Sequence, residues 1–184
     1  MLNKRFVVSA MVLLAVLLTA SAGIAAWEPS ELIATPVTQQ KAILTPSWTF
    51  DGTVYTYSYE LHNTTYNVID FFCLIMPSYI NTAELFDHSN PGDFRYTRRP
   101  NNICDWTNFN VHGPGLGVGE KMIFSFKSYY IPDDVKDVKS NTEAGFLFGN
   151  MTYGPGPNIV PEPASCLALV AGLIGLVGMR RKRA

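Results

Sequence analysis

The sequence predicts an all-β, antiparallel fold for the central part of this chain, and three observations carry that expectation. Residues 54–62, Val-Tyr-Thr-Tyr-Ser-Tyr-Glu-Leu-His, alternate strictly, which places Tyr55, Tyr57, Tyr59 and Leu61 on one face of a strand. Comparable strand-like runs recur along the chain, each bounded by Gly, Pro, Asn or Asp. Six to eight short strands separated by turn signals favour one antiparallel β-sandwich, immunoglobulin-like or jelly-roll-like, over a barrel.

The elements follow in order. Residues 27–41 read as an irregular lead-in. Asp51-Gly52 is a type I′ hairpin signal that joins residues 43–50 to the alternating strand. A second turn near Asn63-Thr64-Thr65 leads into residues 68–76, an apolar run broken only by Asp70 that suits a central strand covered on both faces. Residues 104–111 and 121–131 are further strands. In the latter, Met122, Phe124, Phe126 and Ser128 oppose Ile123, Ser125, Lys127 and Tyr129. Residues 144–153 close the domain, and Gly154-Pro155-Gly156-Pro157 reads as a linker. The domain thus spans residues 27–158, long enough for a single core.

Both ends carry membrane signals. Lys4-Arg5 precede an apolar run at residues 6–18 and a small-residue stretch at 19–26, the three regions of a secretory signal peptide over residues 1–26. The other end, residues 159–184, holds Val160-Pro161-Glu162-Pro163, then an apolar run at 164–179, then Arg180-Arg181-Lys182-Arg183. Sixteen residues make roughly 24 Å of helix, against a hydrocarbon core of roughly 30 Å. Seven Leu, Ile and Val residues favour the bilayer by about 2–4 kcal/mol in all, a weak hold. Drawing one terminal Arg to mid-bilayer costs about 2.5–3.5 kcal/mol, so the basic group stops transfer and stays inside. Pro161 and Pro163 bar helix upstream and keep Glu162 on extended, reachable chain.

This tail resembles the PEP-CTERM sorting signal of bacterial exosortase substrates. The resemblance rests on the motif, span and basic end in that order. The stretch Tyr55-x-Tyr57-x-Tyr59-x-Leu61-x-Asn63, the later segment Ile123-Phe124-Ser125-Phe126 and the exit at residues 149–155 are similar to other members, less specifically. It implies export through the inner membrane, with the mature domain periplasmic, cell-surface or extracellular. It also implies cleavage near Val160 to Pro163 by an exosortase-type membrane transpeptidase. The expected function is that of a surface or extracellular-matrix protein, associated with biofilm or exopolysaccharide and without evident catalytic activity.

Charge narrows the partners. Six of the 14 Lys and Arg belong to the two basic ends, and all 15 Asp and Glu lie between them. The intervening chain therefore sets 8 basic against 15 acidic groups, a net −7. Such a domain does not seek phosphate backbones, and no nucleic-acid partner is expected. Arg95, Arg98 and Arg99 form the only local basic cluster.

Candidate chemistry is sparse. Cys166 lies in the apolar tail, leaving Cys73 and Cys104 as a candidate disulfide in an oxidising compartment, with a buried free thiol at Cys73 as the alternative. Closing a loop of about 31 residues would add roughly 3–4 kcal/mol in the entropy model. His62, His88 and His112 stand too far apart for a zinc pattern, and no metal or cofactor is expected. In residues 87–93 Pro91 blocks the fifth place of a calcium loop, and Arg98 replaces its terminal Glu. Residues 113–119 lack the Lys-Ser/Thr of a phosphate loop. No nucleophile elbow or paired carboxylates stand out for a hydrolase. Trp48 and Trp106, with Tyr57, Tyr66, Tyr79, Tyr129 and Tyr130, are candidates for stacking on sugar rings. That makes a carbohydrate-binding module the alternative function, although strand faces favour aromatics as packing in any case.

Overall fold

The computed structural model describes residues 24–34, 41–108, 114–143 and 147–159. Apart from one 3₁₀ turn, Thr82–Glu84, the regular elements among them are strands. They are β1 (Ile24–Ala26), β2 (Ser30–Ala34), β3 (Lys41–Phe50), β4 (Tyr55–Asn63), β5 (Phe71–Ile75), β6 (Phe94–Arg99), β7 (Ile103–Asn108), β8 (Lys121–Ser128), β9 (Tyr130–Pro132), β10 (Val138–Glu143), β11 (Leu147–Thr152) and β12 (Pro155–Ile159). Ten form one antiparallel sheet in the order β6-β7-β5-β10-β11-β2-β3-β4-β8, with β1 paired to β3, while β9 and β12 form a separate ribbon.

The alternating strand is β4, and the structure bears out its phase: Tyr57, Tyr59 and Leu61 are buried while Ser58 and Glu60 face outward. It pairs with β3 from Asn63 opposite Ala42 to Tyr55 opposite Phe50. The connecting turn departs from the expected type I′. Of its residues only Gly52 has positive φ, at 99°, whereas type I′ needs two. A single positive φ at the first central position is the II′ pattern. The Asp51 carboxylate fixes it by accepting from the backbone N–H groups of Thr53 and Val54 at 2.8 and 2.9 Å. Pro46 sits mid-strand in β3 without breaking the ladder. β2 pairs with β3 up to Leu44 and β1 begins at Ser47, so the missing N–H falls in the gap between partners.

Four strands escape an apolar-alternation reading. Residues 30–34, expected to be irregular, are β2, which joins β11 to β3. Residues 155–157, expected to be a linker, belong to β12, which pairs with β9. β6 and β10 are polar. β10, Val-Lys-Ser-Asn-Thr-Glu, nevertheless lies in mid-sheet between β5 and β11, with Ser140 and Thr142 fully buried. Their hydroxyls donate to the carbonyls of Asn150 and Phe71, which removes the desolvation penalty that polar residues meet in a core. Residues 121–131 split in two: Ser128 ends β8, and Tyr130 starts β9 in the separate ribbon.

The sheet curls. Residues 86–89 run along the free edge of β8, with Phe86 and Lys127 exchanging backbone bonds of 2.9 and 2.7 Å and Ser89 N–H reaching Ser125 O at 2.9 Å. The chain then enters β6, the opposite end of the strand order, so the two ends lie close together. Aromatic side chains meet across the interior. Phe124 of β8 touches Phe72 of β5, Phe94 of β6 and Trp106 of β7, at centroid separations of 4.8, 5.3 and 5.5 Å. Each such ring, fully buried, contributes about 1.5–3 kcal/mol. The ribbon is tied on by two tyrosines of β4. Tyr57 Oη donates to Tyr130 O at 2.7 Å and Tyr59 Oη to Tyr153 O at 3.1 Å. Beneath the loop before β8, Gly115 is required, because a Cβ there would strike the Asp70 carboxylate and the Ile69 carbonyl.

Candidate functional site

The sorting motif Val160 to Pro163 and the stop-transfer group Arg180 to Arg183 lie outside the described residues, as do residues 1–23, His112 and Cys166. The last described residue, Ile159, ends β12 opposite Tyr130 and is exposed.

The two tryptophans proposed for sugar stacking have different fates. Trp106 on β7 has no exposed surface, so it cannot stack on a sugar. It packs on Phe72, Tyr96 and Phe124, and its Nε1 donates to Ser89 O at 2.8 Å. Its correct role is core, set by its register opposite Phe72 on the concave face. Trp48 on β3 is half-buried at the β3–β4 hairpin end, tilted on Trp27 at 6.5 Å and meeting Tyr55 edge-on at 5.4 Å. Tyr57 and Tyr130 are buried. Tyr66, Tyr79 and Tyr129 are exposed but belong to separate connections, where Tyr79 is hydrogen-bonded to Asp137 and Tyr129 packs on Phe86. The aromatic residues therefore do not assemble into one exposed platform.

Cys73 and Cys104 are both free and both buried, which corrects the expected disulfide. The register gives the reason. Cys73 stands opposite Asp105 and Cys104 opposite Leu74, one step out of phase, so the two thiols project from opposite faces of the sheet. Burial pushes both thiols up to about 11, which leaves them protonated and inert at neutral pH.

Residues 87–93 are held by the protein's own contacts. The Asp87 carboxylate pairs with Lys127 at 2.6 Å, and Asn90 Oδ1 accepts from Tyr96 N–H at 2.7 Å. Among the described residues no three His, Cys, Asp or Glu side chains converge as a metal site.

Between them lies His88, stacked on Tyr96 at 3.5 Å and flanked by Trp106 and Phe126. Desolvation pulls its pKa down to about 4, with Asp87 opposing and Arg98 reinforcing the fall. The unfolded value is near 6.5, so the unfolded chain binds the extra proton across that interval. Stability supplied by neutral His88 is complete above about pH 6.5 and is lost as pH falls toward 4. The cost is about 1–2 kcal/mol after allowance for partial solvent access. Thermal melts across this range should show the loss, and His88→Phe should abolish that part of it; an unchanged pH profile in the variant would refute the assignment.

A polar cleft of about 440 Å³ forms where the β6–β7 turn meets the 3₁₀ turn. Arg98 and Arg99 end β6, Asn101 and Asn102 form the turn, and Asn81 and Thr82 face them. Asn101 and Asn102 both adopt left-handed backbone, at φ 63° and 59°, a conformation Asn tolerates better than most residues. Asn102 is anchored because its carbonyl accepts from Met76 N–H at 2.9 Å. Arg99 Nε forms an ion pair with Asp105, whose side chain is 1% exposed while that of Arg99 is 55% exposed. Burial raises the Asp105 pKa, and Arg99 is the main influence drawing it back down. The arginine cluster was visible in the sequence. Its buried carboxylate partner, six residues on, was not, because only the hairpin register brings Asp105 across from Thr97 and beside Arg99.

No family model, no curated protein and no solved structure matches this chain.

Proposed function

We propose that this chain is a non-enzymatic surface or extracellular-matrix protein, exported by residues 1–26 and tethered in the inner membrane by residues 164–179. An exosortase-type transpeptidase then cuts it at Val160 to Pro163. The observation that carries the proposal is the order of Pro161-Glu162-Pro163, a short apolar run and Arg180-Arg181-Lys182-Arg183. Two structural facts support it. Regular structure reaches Ile159, immediately before the motif in sequence, and Ile159 is 57% exposed, so the described domain ends at its own surface. The rest is one curled ten-stranded sheet with a two-stranded ribbon, and Phe124 of β8 packs across the interior on Phe72 of β5, Phe94 of β6 and Trp106 of β7. That arrangement supports a two-layered, sandwich-like reading of the fold.

The reading has a direct test. In a host with an exosortase, Glu162→Ala should leave the full-length chain in the membrane fraction, while the unaltered protein loses its tail. Equal processing of both forms would contradict it. A carbohydrate-binding function through Trp48 remains the second reading, favoured by its half-exposed ring at the hairpin end beside Trp27 and Tyr55.

A further inference from the structure

We propose that a signal peptidase cuts this chain between Ala22 and Gly23, so that the mature protein begins one residue ahead of β1. This assignment rests on the export reading above and deepens it, because the sequence offers two bonds of equal standing. Ala20-Ser21-Ala22 and Gly23-Ile24-Ala25 both present small residues at the first and third places before a cut, and both closely follow the apolar run at 6–18. In the reaction, water adds across the amide. The Ala22 carbonyl carbon gains the hydroxyl and the Gly23 nitrogen takes the proton.

The fold separates the two bonds. Ile24, Ala25 and Ala26 form β1, antiparallel to Thr49, Trp48 and Ser47 of β3. Pairing of β2 with β3 stops at Leu44, so β1 is the second neighbour of the hairpin end of β3, whose other edge belongs to β4. The attachment continues at Trp27, whose N–H donates to Pro46 O at 3.2 Å and whose ring stacks on Tyr153 at 5.3 Å. The cut precedes folding, so the two products differ in what they can fold into. Cutting after Ala25 removes Ile24 and Ala25, two of the three paired residues, and bares the edge of β3 at Trp48 and Thr49. It also sets a charged α-amino group on Ala26, inside the remaining pairing and next to Trp27. Cutting after Ala22 keeps β1 whole and holds that charge on Gly23, ahead of the sheet. The scissile bond itself lies outside the described residues.

The test expresses the full chain in a bacterial host that carries a signal peptidase and reads the first residue of the exported protein by N-terminal sequencing. Gly23 is expected. Ala22→Tyr should abolish that product, because a bulky ring then stands where a small residue is needed. Ala25→Tyr should still yield a chain that begins at Gly23. An exported chain beginning at Ala26, Ala22→Tyr processed like the unaltered protein, or loss of processing in Ala25→Tyr would each overturn the assignment and leave the export reading standing. A chain held in the cytoplasm with Lys4 and Arg5 still attached would overturn the export reading, and this assignment with it.

Discussion

Trp106→Ala should unfold much of the domain under conditions where the unaltered protein is stable. The ring is wholly buried and touches Phe72, Tyr96 and Phe124, so its removal leaves a large cavity in the middle of the curl. Such truncations cost about 3–5 kcal/mol, and the Ser89 carbonyl also loses its indole donor. Small domains hold only about 5–15 kcal/mol in total, so the melting temperature should fall by roughly 10–20 °C. Near-ultraviolet circular dichroism during a thermal melt reads this directly. Trp48→Ala, at a half-buried position, should cost about 1–2 kcal/mol. Equal losses for the two variants would refute the contrast between a core ring and a surface ring.

Arg99→Gln should be the second most damaging change, and its effect should depend on pH. It leaves the Asp105 carboxylate without a counter-charge in a site 1% exposed. Stranding a buried charge costs about 3–5 kcal/mol when both partners are buried. Here about 2–3 kcal/mol is expected, because Arg99 itself is half in solvent. The sign follows from Asp105, whose pKa is already raised by burial and rises further once Arg99 is gone. A carboxyl with a raised folded pKa stabilises the fold below its unfolded value, and that contribution disappears as pH climbs through the folded value. Arg99→Gln should therefore be weakest at neutral pH and recover in acid. Asp105→Asn should rescue it, and a double-mutant cycle would measure the coupling. Additive losses, with no rescue, would show that the pair does not carry the effect.

What could be read in the sequence depends on which force sets each element. β4 announces itself because one of its faces meets solvent and the other a core, so Tyr57, Tyr59 and Leu61 alternate with Ser58 and Glu60. β5 was legible from its continuous apolar run, since it lies between β7 and β10 with both neighbours paired. β10 was hidden because Ser140 and Thr142 satisfy carbonyls that a hydrophobic pattern never reveals. The same limit applies to the sites. Trp106 could be named from composition, but only its register opposite Phe72 places it inside. Cys73 and Cys104 looked like a pair in one dimension, and a one-residue phase difference sets them on opposite faces. The cleft needed one contiguous stretch, residues 98–102, to meet the earlier 3₁₀ segment at residues 81–83, which no sequence pattern announces.

The sorting tail is tested most directly by intact mass spectrometry of the protein recovered from cells that carry an exosortase. The expected mass ends upstream of residue 164, with the apolar run and Arg180 to Arg183 removed. A recovered chain that still carries Arg183, whether or not the transpeptidase is present, would contradict the proposal that this tail is a removable tether.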